Sequence, residues 1–294
     1  MTTAYVFPGQ GAQFTGMGHQ LYDLSGTAKA LFEQADEVLG YPLSKVMFGG
    51  SEEELRQTKI TQPAIFVQSA ITYLTAEETP APAAVAGHSL GEFSALVAAG
   101  VLTFADALRL VSERADAMQA AADAEPGTMA AVLGLDDAMI ESACAELGEV
   151  VVPANYNSPG QLVISGTEVG IEKATRVLTD LGARRVVRLP VGGAFHSPLM
   201  APARDRLKEA IDATRFGPAG CPVYQNVDAQ PSVEPDVIKQ KLIEQLTGAV
   251  RWTQTVQRMQ AAGIDRFVEV GGKGGILAGL IRKVDRKLSV EQLG

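Results

Sequence analysis

Cysteine is scarce in this chain, with only Cys144 and Cys221 among 294 residues. The two have neither metal-ligand spacing nor the density of a disulfide scaffold, so a reducing cytoplasm is the expected compartment and both thiols are expected to be packed rather than reactive. Histidine is nearly as rare: His19, His88 and His196 are the only three. Positive charge is in deficit, since 25 Lys and Arg face 34 Asp and Glu for a net charge of -9, with a pI near 5.0. That balance argues against general binding to nucleic acid or to an anionic membrane. No apolar run approaches the ~20 residues that span a bilayer. The first residues enter a strand without a basic n-region, so no secretory signal is expected. What remains is a soluble globular chain, long enough for one large domain or for a large one carrying a smaller insert.

What is there centres on Gly87-His88-Ser89-Leu90-Gly91. It follows Ala83-Ala84-Val85-Ala86, an apolar run that predicts a buried strand, and opens into a predicted helix over 92–99. Strand, G-x-S-x-G, helix is a layout that lifts one serine hydroxyl out of a sheet, because flanking glycines permit a sharp backbone turn. A chance pentapeptide in a glycine-rich loop is the alternative, and the strand and helix context favours the turn. Ser89 at a helix N-terminus is surrounded by unpaired N–H groups, aimed where an oxyanion forms when a carbonyl is attacked. A reactive ester or thioester suits such a site.

Ahead of this stretch, Ala4-Tyr5-Val6-Phe7 predicts a strand ending in the loop Pro8-Gly9-Gln10-Gly11. That loop lacks the Gly-Lys-Ser/Thr of a phosphate-binding loop, and Gln10 in it is either a solvated turn residue or a group facing a substrate. Ser51-Glu52-Glu53-Glu54 predicts a capping box. Thr61-Gln62-Pro63 introduces an apolar helix over 64–76, and a loop from Thr79 to Pro82 feeds the central strand. Thr103 caps a helix running to about 122, with Leu108, Val111, Ala115 and Met118 on one face. Arg114 lies beside that face, as a snorkelling surface residue or as a buried guanidinium presented to an anion; the spacing leaves both open.

Residues 126–190 change character. Strands over 129–133, 150–152, 161–165 and 185–189 alternate with helices over 136–147 and 168–181 in the order βαββαβ, the ferredoxin-like split unit. It reads as a small subdomain inserted into a larger α/β domain made of residues 1–125 and 191–294. In the larger domain, helices are expected over 199–213, 237–246 and 253–262 and strands over 222–226 and 266–270. Gly271-Gly272-Lys273-Gly274-Gly275 ends the last strand and is weak as a phosphate loop.

A serine nucleophile needs a base. His88 adjoins Ser89 and points to the opposite face of a strand end, and His19 lies in a polar segment, which leaves His196 in its glycine-flanked loop. No acid of a triad is evident; a carboxylate or a backbone carbonyl could fix the imidazole tautomer.

Phe7-Pro8-Gly9-Gln10-Gly11, Gly87-His88-Ser89-Leu90-Gly91-Glu92, Glu113-Arg114 with Met118-Gln119, Asn155-Tyr156-Asn157-Ser158-Pro159-Gly160-Gln161 and Gly193-Ala194-Phe195-His196-Ser197 together resemble the malonyl-CoA:acyl carrier protein transacylases, over nearly the whole chain. The resemblance implies an α/β fold: a hydrolase-like core with a parallel sheet and nucleophile elbow, plus an inserted ferredoxin-like subdomain. It implies that Ser89 carries the malonyl group, that His196 is its base, that the N–H groups of Gln10 and Leu90 form the oxyanion hole, that Arg114 pairs with the malonyl carboxylate, and that the carbonyl of Gln245 orients His196. Phe195 and Leu90 become the positions that favour malonyl over methylmalonyl. The implied activity is ping-pong malonyl transfer from malonyl-CoA to the phosphopantetheine thiol of acyl carrier protein in fatty acid biosynthesis, by a cytoplasmic monomer with no metal or cofactor. This sequence departs from the family pattern at Ala115, at Gly248-Ala249 before Val250-Arg251-Trp252, and at Gly272.

Other functions stay in view. One is a trans-acting acyltransferase or editing acyl hydrolase of a polyketide synthase, another a general serine esterase, a third an inactive carrier-binding module. A positive charge at Arg114 argues against the esterase, and the joint presence of Ser89 and His196 against the inactive module. Arg282, Lys283, Arg286 and Lys287 have i,i+4 spacing that would stack them on a C-terminal helix, either facing an acidic carrier or simply solvated at the helix end.

Overall fold

The computed structural model describes residues 2–77 and 80–294, and Thr79, where a loop is expected to begin, lies outside them. The main sheet has six strands in the order β10 (Ser289–Leu293), β9 (Arg266–Val270), β1 (Thr3–Phe7), β2 (Ala84–Gly87), β7 (Val223–Tyr224) and β8 (Pro231–Ser232). Neighbours run parallel from β10 to β7, and the edge strand β8 is antiparallel. All of β1 is buried because both faces of the sheet are covered. Ala4 and Val6 pack with Trp252, Val256 and Phe267, whereas Tyr5 and Phe7 join Phe66 and Leu108 in the opposite core. Successive side chains thus enter different cores, so the strand reads as one apolar run.

The second sheet is antiparallel and drawn from residues 127–188. Its order is β4 (Val151–Ser158), β5 (Gln161–Thr167), β3 (Gly127–Leu133) and β6 (Arg185–Arg188). Helices Asp137–Glu146 and Glu168–Asp180 bury Ile140, Ile171 and Leu178 against one face of it. That is the ferredoxin-like arrangement, and the α/β fold class expected from the sequence is the one found. The other face sends Met129 and Val163 into the core shared with the main sheet.

Some expected elements are redrawn. The helix expected from residue 64 is Thr58–Thr75, with Pro63 inside it. Proline there forgoes one main-chain hydrogen bond, a loss that the almost complete burial of residues 61–72 outweighs. Strand β4 runs on to Ser158, because Asn155, Tyr156 and Ser158 pair with Val163, Leu162 and Gln161 of β5. On its other edge Tyr156 N–H donates to Val250 O and Val250 N–H to Ala154 O, both at 2.8 Å, so tertiary pairing makes a strand of polar residues whose alternation predicts none. The C-terminal helix, Ile276–Val284, ends before Arg286 and Lys287. The expected helical stacking of four basic residues is therefore absent: Asp285 is extended and Arg282 donates to Val290 O at 3.1 Å.

Around the turn after β2 the backbones of β1, β2 and helix Gly91–Ala98 touch. A Cβ on Gly91 would lie 2.1 Å from Phe7 O, whereas one on Gly26 would meet nothing within 4 Å. Gly91→Ala should destabilise the fold by about 3 kcal/mol, and Gly26→Ala, at the start of a helix, should stabilise by about 0.5 kcal/mol. Denaturant midpoints check both, and equal midpoints would refute the close packing.

Candidate active site

Ser89 follows the end of β2 with φ 53, a left-handed conformation that a residue with a Cβ adopts at a cost of roughly 1–2 kcal/mol. Its Oγ lies 2.7 Å from His196 Nε2. His196 is itself left-handed, with φ 58, and buried. Its Nδ1 lies 2.9 Å from Gln245 O and 3.1 Å from Gly248 O. Carbonyls only accept, so Nδ1 must carry the proton and Nε2 is left to accept from the serine hydroxyl.

Among the described residues no carboxylate orients this histidine. Gln245 is the C-cap of helix Pro235–Glu244, where carbonyls lack a helical partner. A helix end thus supplies an acceptor that fixes the His196 tautomer, and Gly248, one of the two residues departing from the family pattern there, adds a second. Burial first, then the positive charge of Arg114, push the His196 pKa down to about 3. The imidazole is neutral at physiological pH, as an acceptor must be.

Arg114 is buried on helix Phe104–Ala124, which decides between its two readings. Nη1 donates to Gln62 Oε1 at 2.6 Å, and Nη2 to Ser89 Oγ at 3.0 Å and to Gln245 Oε1 at 3.1 Å; Nε has no partner among the described residues. Burial lowers its pKa to about 10, so it stays charged at neutral pH. Glu92, in the first turn of the helix after the elbow, is also buried, and burial raises its pKa to about 8 despite the nearby guanidinium. At neutral pH the carboxyl is protonated and the site holds one uncompensated positive charge.

A cavity of about 340 Å³ opens here, lined by Gln10, Ser89, Leu90, Arg114, Phe195 and His196 with Met118, Met129 and Val163. The N–H groups of Gln10 and Leu90 have no acceptor among the described residues, whereas Ser89 N–H is taken by Asn226 Oδ1 at 2.7 Å. The structure therefore gathers all seven expected residues, with Gln245 behind the base rather than on the cavity wall. His88 stays apart from the serine proton, its Nε2 2.8 Å from Asn157 Oδ1. Cys144 and Cys221 are buried and unpaired, with burial raising both pKa values to about 11. Among the described residues no cluster of His, Cys, Asp or Glu could hold a metal ion.

Gln62, Glu92, Asn157 and Asn226 escaped the sequence reading as parts of the site. A signal existed for two of them: Gln62 and Glu92 are polar residues beside long apolar runs of buried helices, where a side chain with no water must find a partner. Asn226 follows a short strand and gives no such signal.

A serine–histidine pair on an elbow at the carboxyl end of a parallel sheet, with N–H groups beside it that have no acceptor among the described residues, defines an α/β enzyme built for acyl-serine chemistry, the class that holds both hydrolases and acyltransferases. A family model described as "Acyl transferase domain" matches residues 4–293. The malonyl CoA-acyl carrier protein transacylase of Bacillus subtilis (strain 168) is 45% identical over 97% of this chain and 91% of its own length. An acyl carrier protein S-malonyltransferase from Vibrio cholerae superposes with a TM-score of 0.96 at 41% identity, covering 100% of this chain and 97% of that one. A malonyl-transacylase solved in complex with its type II polyketide synthase acyl-carrier protein gives 0.94 at 39% identity, covering 99% and 96%. The chain belongs to the malonyl CoA-acyl carrier protein transacylase family.

The His196 environment has a direct readout. Imidazole ¹⁵N shifts should keep His196 neutral well below the ordinary histidine pKa of about 6.5, and Arg114→Gln should raise its pKa, because a neighbouring positive charge is removed. A protonation midpoint near 6.5 in the wild type would contradict the buried, neutral base.

Proposed function

We propose that this chain transfers the malonyl group of malonyl-CoA to the phosphopantetheine thiol of an acyl carrier protein, through a malonyl-Ser89 intermediate, in fatty acid biosynthesis. The buried, uncompensated charge of Arg114 beside Ser89 carries this reading. An unpaired charge away from water is costly. A malonyl group brings a carboxylate that a guanidinium can hold through two parallel bonds, whereas a neutral acyl chain leaves the charge unpaired.

The chemistry then follows from the residues present. Ser89 Oγ attacks the thioester carbonyl while its proton passes to His196 Nε2, and the Gln245 and Gly248 carbonyls stabilise the imidazolium through Nδ1–H. The N–H groups of Gln10 and Leu90 receive the oxyanion. Collapse breaks the carbon–sulfur bond, His196 returns the proton to sulfur, and CoA leaves as the thiol. The carrier thiol next gives its proton to His196 as its sulfur attacks the serine ester, and proton return to Ser89 Oγ closes a ping-pong cycle. Each of these tasks falls to a protein group, so the reading calls for no metal or cofactor. Phe195 and Leu90 flank the acyl position and limit branching at its α-carbon by volume, worth about 1–3 kcal/mol per methyl.

The related transacylase solved with its carrier supports the carrier as partner. Because that carrier serves a polyketide synthase, it also supports a second reading, delivery of malonyl to a polyketide carrier. All the site residues come from one chain, consistent with a monomer, and two buried unpaired thiols suit a reducing cytoplasm. No helix among the described residues is long and apolar enough to cross a membrane.

Intact-mass analysis after mixing with malonyl-CoA, then with a carrier protein, tests the proposal. A malonyl adduct should form, vanish in Ser89→Ala, and move to the carrier; release as free acid would favour a hydrolase. Arg114→Ala should lose about 2–5 kcal/mol of malonyl recognition, or about 30-fold to several thousand-fold in kcat/KM, while keeping or gaining acetyl transfer. Equal losses for both acyl groups would make Arg114 a structural residue. As pH rises through about 8, Glu92 ionises and compensates Arg114 from within, so the KM for malonyl-CoA should rise. Glu92→Gln should abolish that rise, and its persistence would refute the link.

A further inference from the structure

Asn226 takes no part in the steps above, yet it is completely buried and all its polar groups are engaged around the elbow. Side-chain Oδ1 accepts Ser89 N–H and Nδ2 donates to Gly87 O, each at 2.7 Å. Its main-chain N–H donates to Glu92 Oε1, and its carbonyl accepts from Arg251 N–H at 3.0 Å. The residue lies just beyond β7, the parallel neighbour of β2, so one side chain reaches from one strand end to the next.

Gln245 works with it. Its Nε2 donates to Ser89 O at 3.0 Å and to Asn226 Oδ1 at 3.4 Å. The peptide planes on either side of Ser89 are thus each gripped by one amide. In a trans peptide the N–H and C=O point in opposite directions. Holding Ser89 O therefore turns the Leu90 N–H the other way, and holding Ser89 N–H removes it as a rival donor. The grip also opposes relaxation of the left-handed serine.

We propose that Asn226 is a positioning residue for acyl transfer: its amide clamps the elbow across His88, holds Ser89 in its left-handed conformation and leaves Gln10 and Leu90 as the oxyanion donors. Glu92 steadies the clamp through the Asn226 main chain. The inference rests on Ser89 being the nucleophile.

The test is the rate of Ser89 acylation by malonyl-CoA, followed by intact mass in single turnover as a function of substrate concentration and pH. Asn226→Ala should slow the acylation step about 10²-fold, the scale of a misplaced reacting group. Half-saturation should stay within about threefold of wild type, since binding is not what the clamp sets. Asn226→Asp is the sharper variant, and it decides the matter if Asn226→Ala fails to fold. As a carboxylate the new side chain has no donor for Gly87 O. Once protonated it can accept from Ser89 N–H and donate to Gly87 O as the amide does. Its acylation rate should therefore climb towards wild type as pH falls, while the wild-type rate does not climb. A wild-type rate in Asn226→Ala, or wild-type pH dependence in Asn226→Asp, would overturn the clamp. Absence of any Ser89 adduct in the wild-type protein would instead remove the reading of Ser89 as nucleophile, so the two failures are distinguishable.

Discussion

The site depends on a cation that the fold buries without a partner. Arg114 is surrounded by Gln62, Gln245 and the Ser89 hydroxyl, all neutral groups that accept hydrogen bonds and cancel no charge. The carboxyl that faces this charge, Glu92, is held protonated at neutral pH by its own burial. Two linked consequences follow. The charge adds to burial, the larger cause, in keeping His196 neutral, and it leaves the cavity in want of an anion. In the proposed mechanism, substrate preference and base strength thus both draw on the same guanidinium.

Geometry reaches this point through parallel strands. Gln10 follows β1, Ser89 follows β2 and Asn226 follows β7, three adjacent strands whose carboxyl ends come together. Open parallel sheets bind ligands in the crevice beyond those ends. Further walls come from helix Phe104–Ala124, through Arg114 and Met118, from the antiparallel sheet, through Met129 and Val163, and from the loop carrying Phe195 and His196. The smaller unit therefore closes a cavity that the parallel sheet alone would leave open.

Where the sequence misled, the causes are physical. Four basic residues with i,i+4 spacing looked like a helix edge, but spacing carries no information about where a helix stops, and Asp285 ends it. The apolar pattern of strand β4 spans only three residues because Asn155, Tyr156 and Asn157 break it, while the hairpin with β5 and the long-range bridge from Asn155 to Val250 extend the strand to Ser158. Pro63 suggested a helix start, and burial of the preceding turn overrode it.

Much of this protein was legible without coordinates. Local patterns report local structure, so the strand–turn–helix around Ser89, the βαββαβ order over 126–190, the pairing of His196 rather than His88 or His19 with the Ser89 hydroxyl, and the scarcity of cysteine and basic charge all stood in the sequence. Its motifs also carried the family resemblance and, with it, the expected places of Gln10, Leu90, Arg114, Phe195 and Gln245. What the sequence left open was every question about burial and long-range contact: whether Arg114 is solvated or interior, which acceptor orients His196, and which amides hold the elbow. Those answers lie between residues far apart in the chain, such as Arg114 and Gln245 or Ser89 and Asn226. Only the packed sheet brings them within hydrogen-bonding distance, and only exclusion of water gives those contacts their strength.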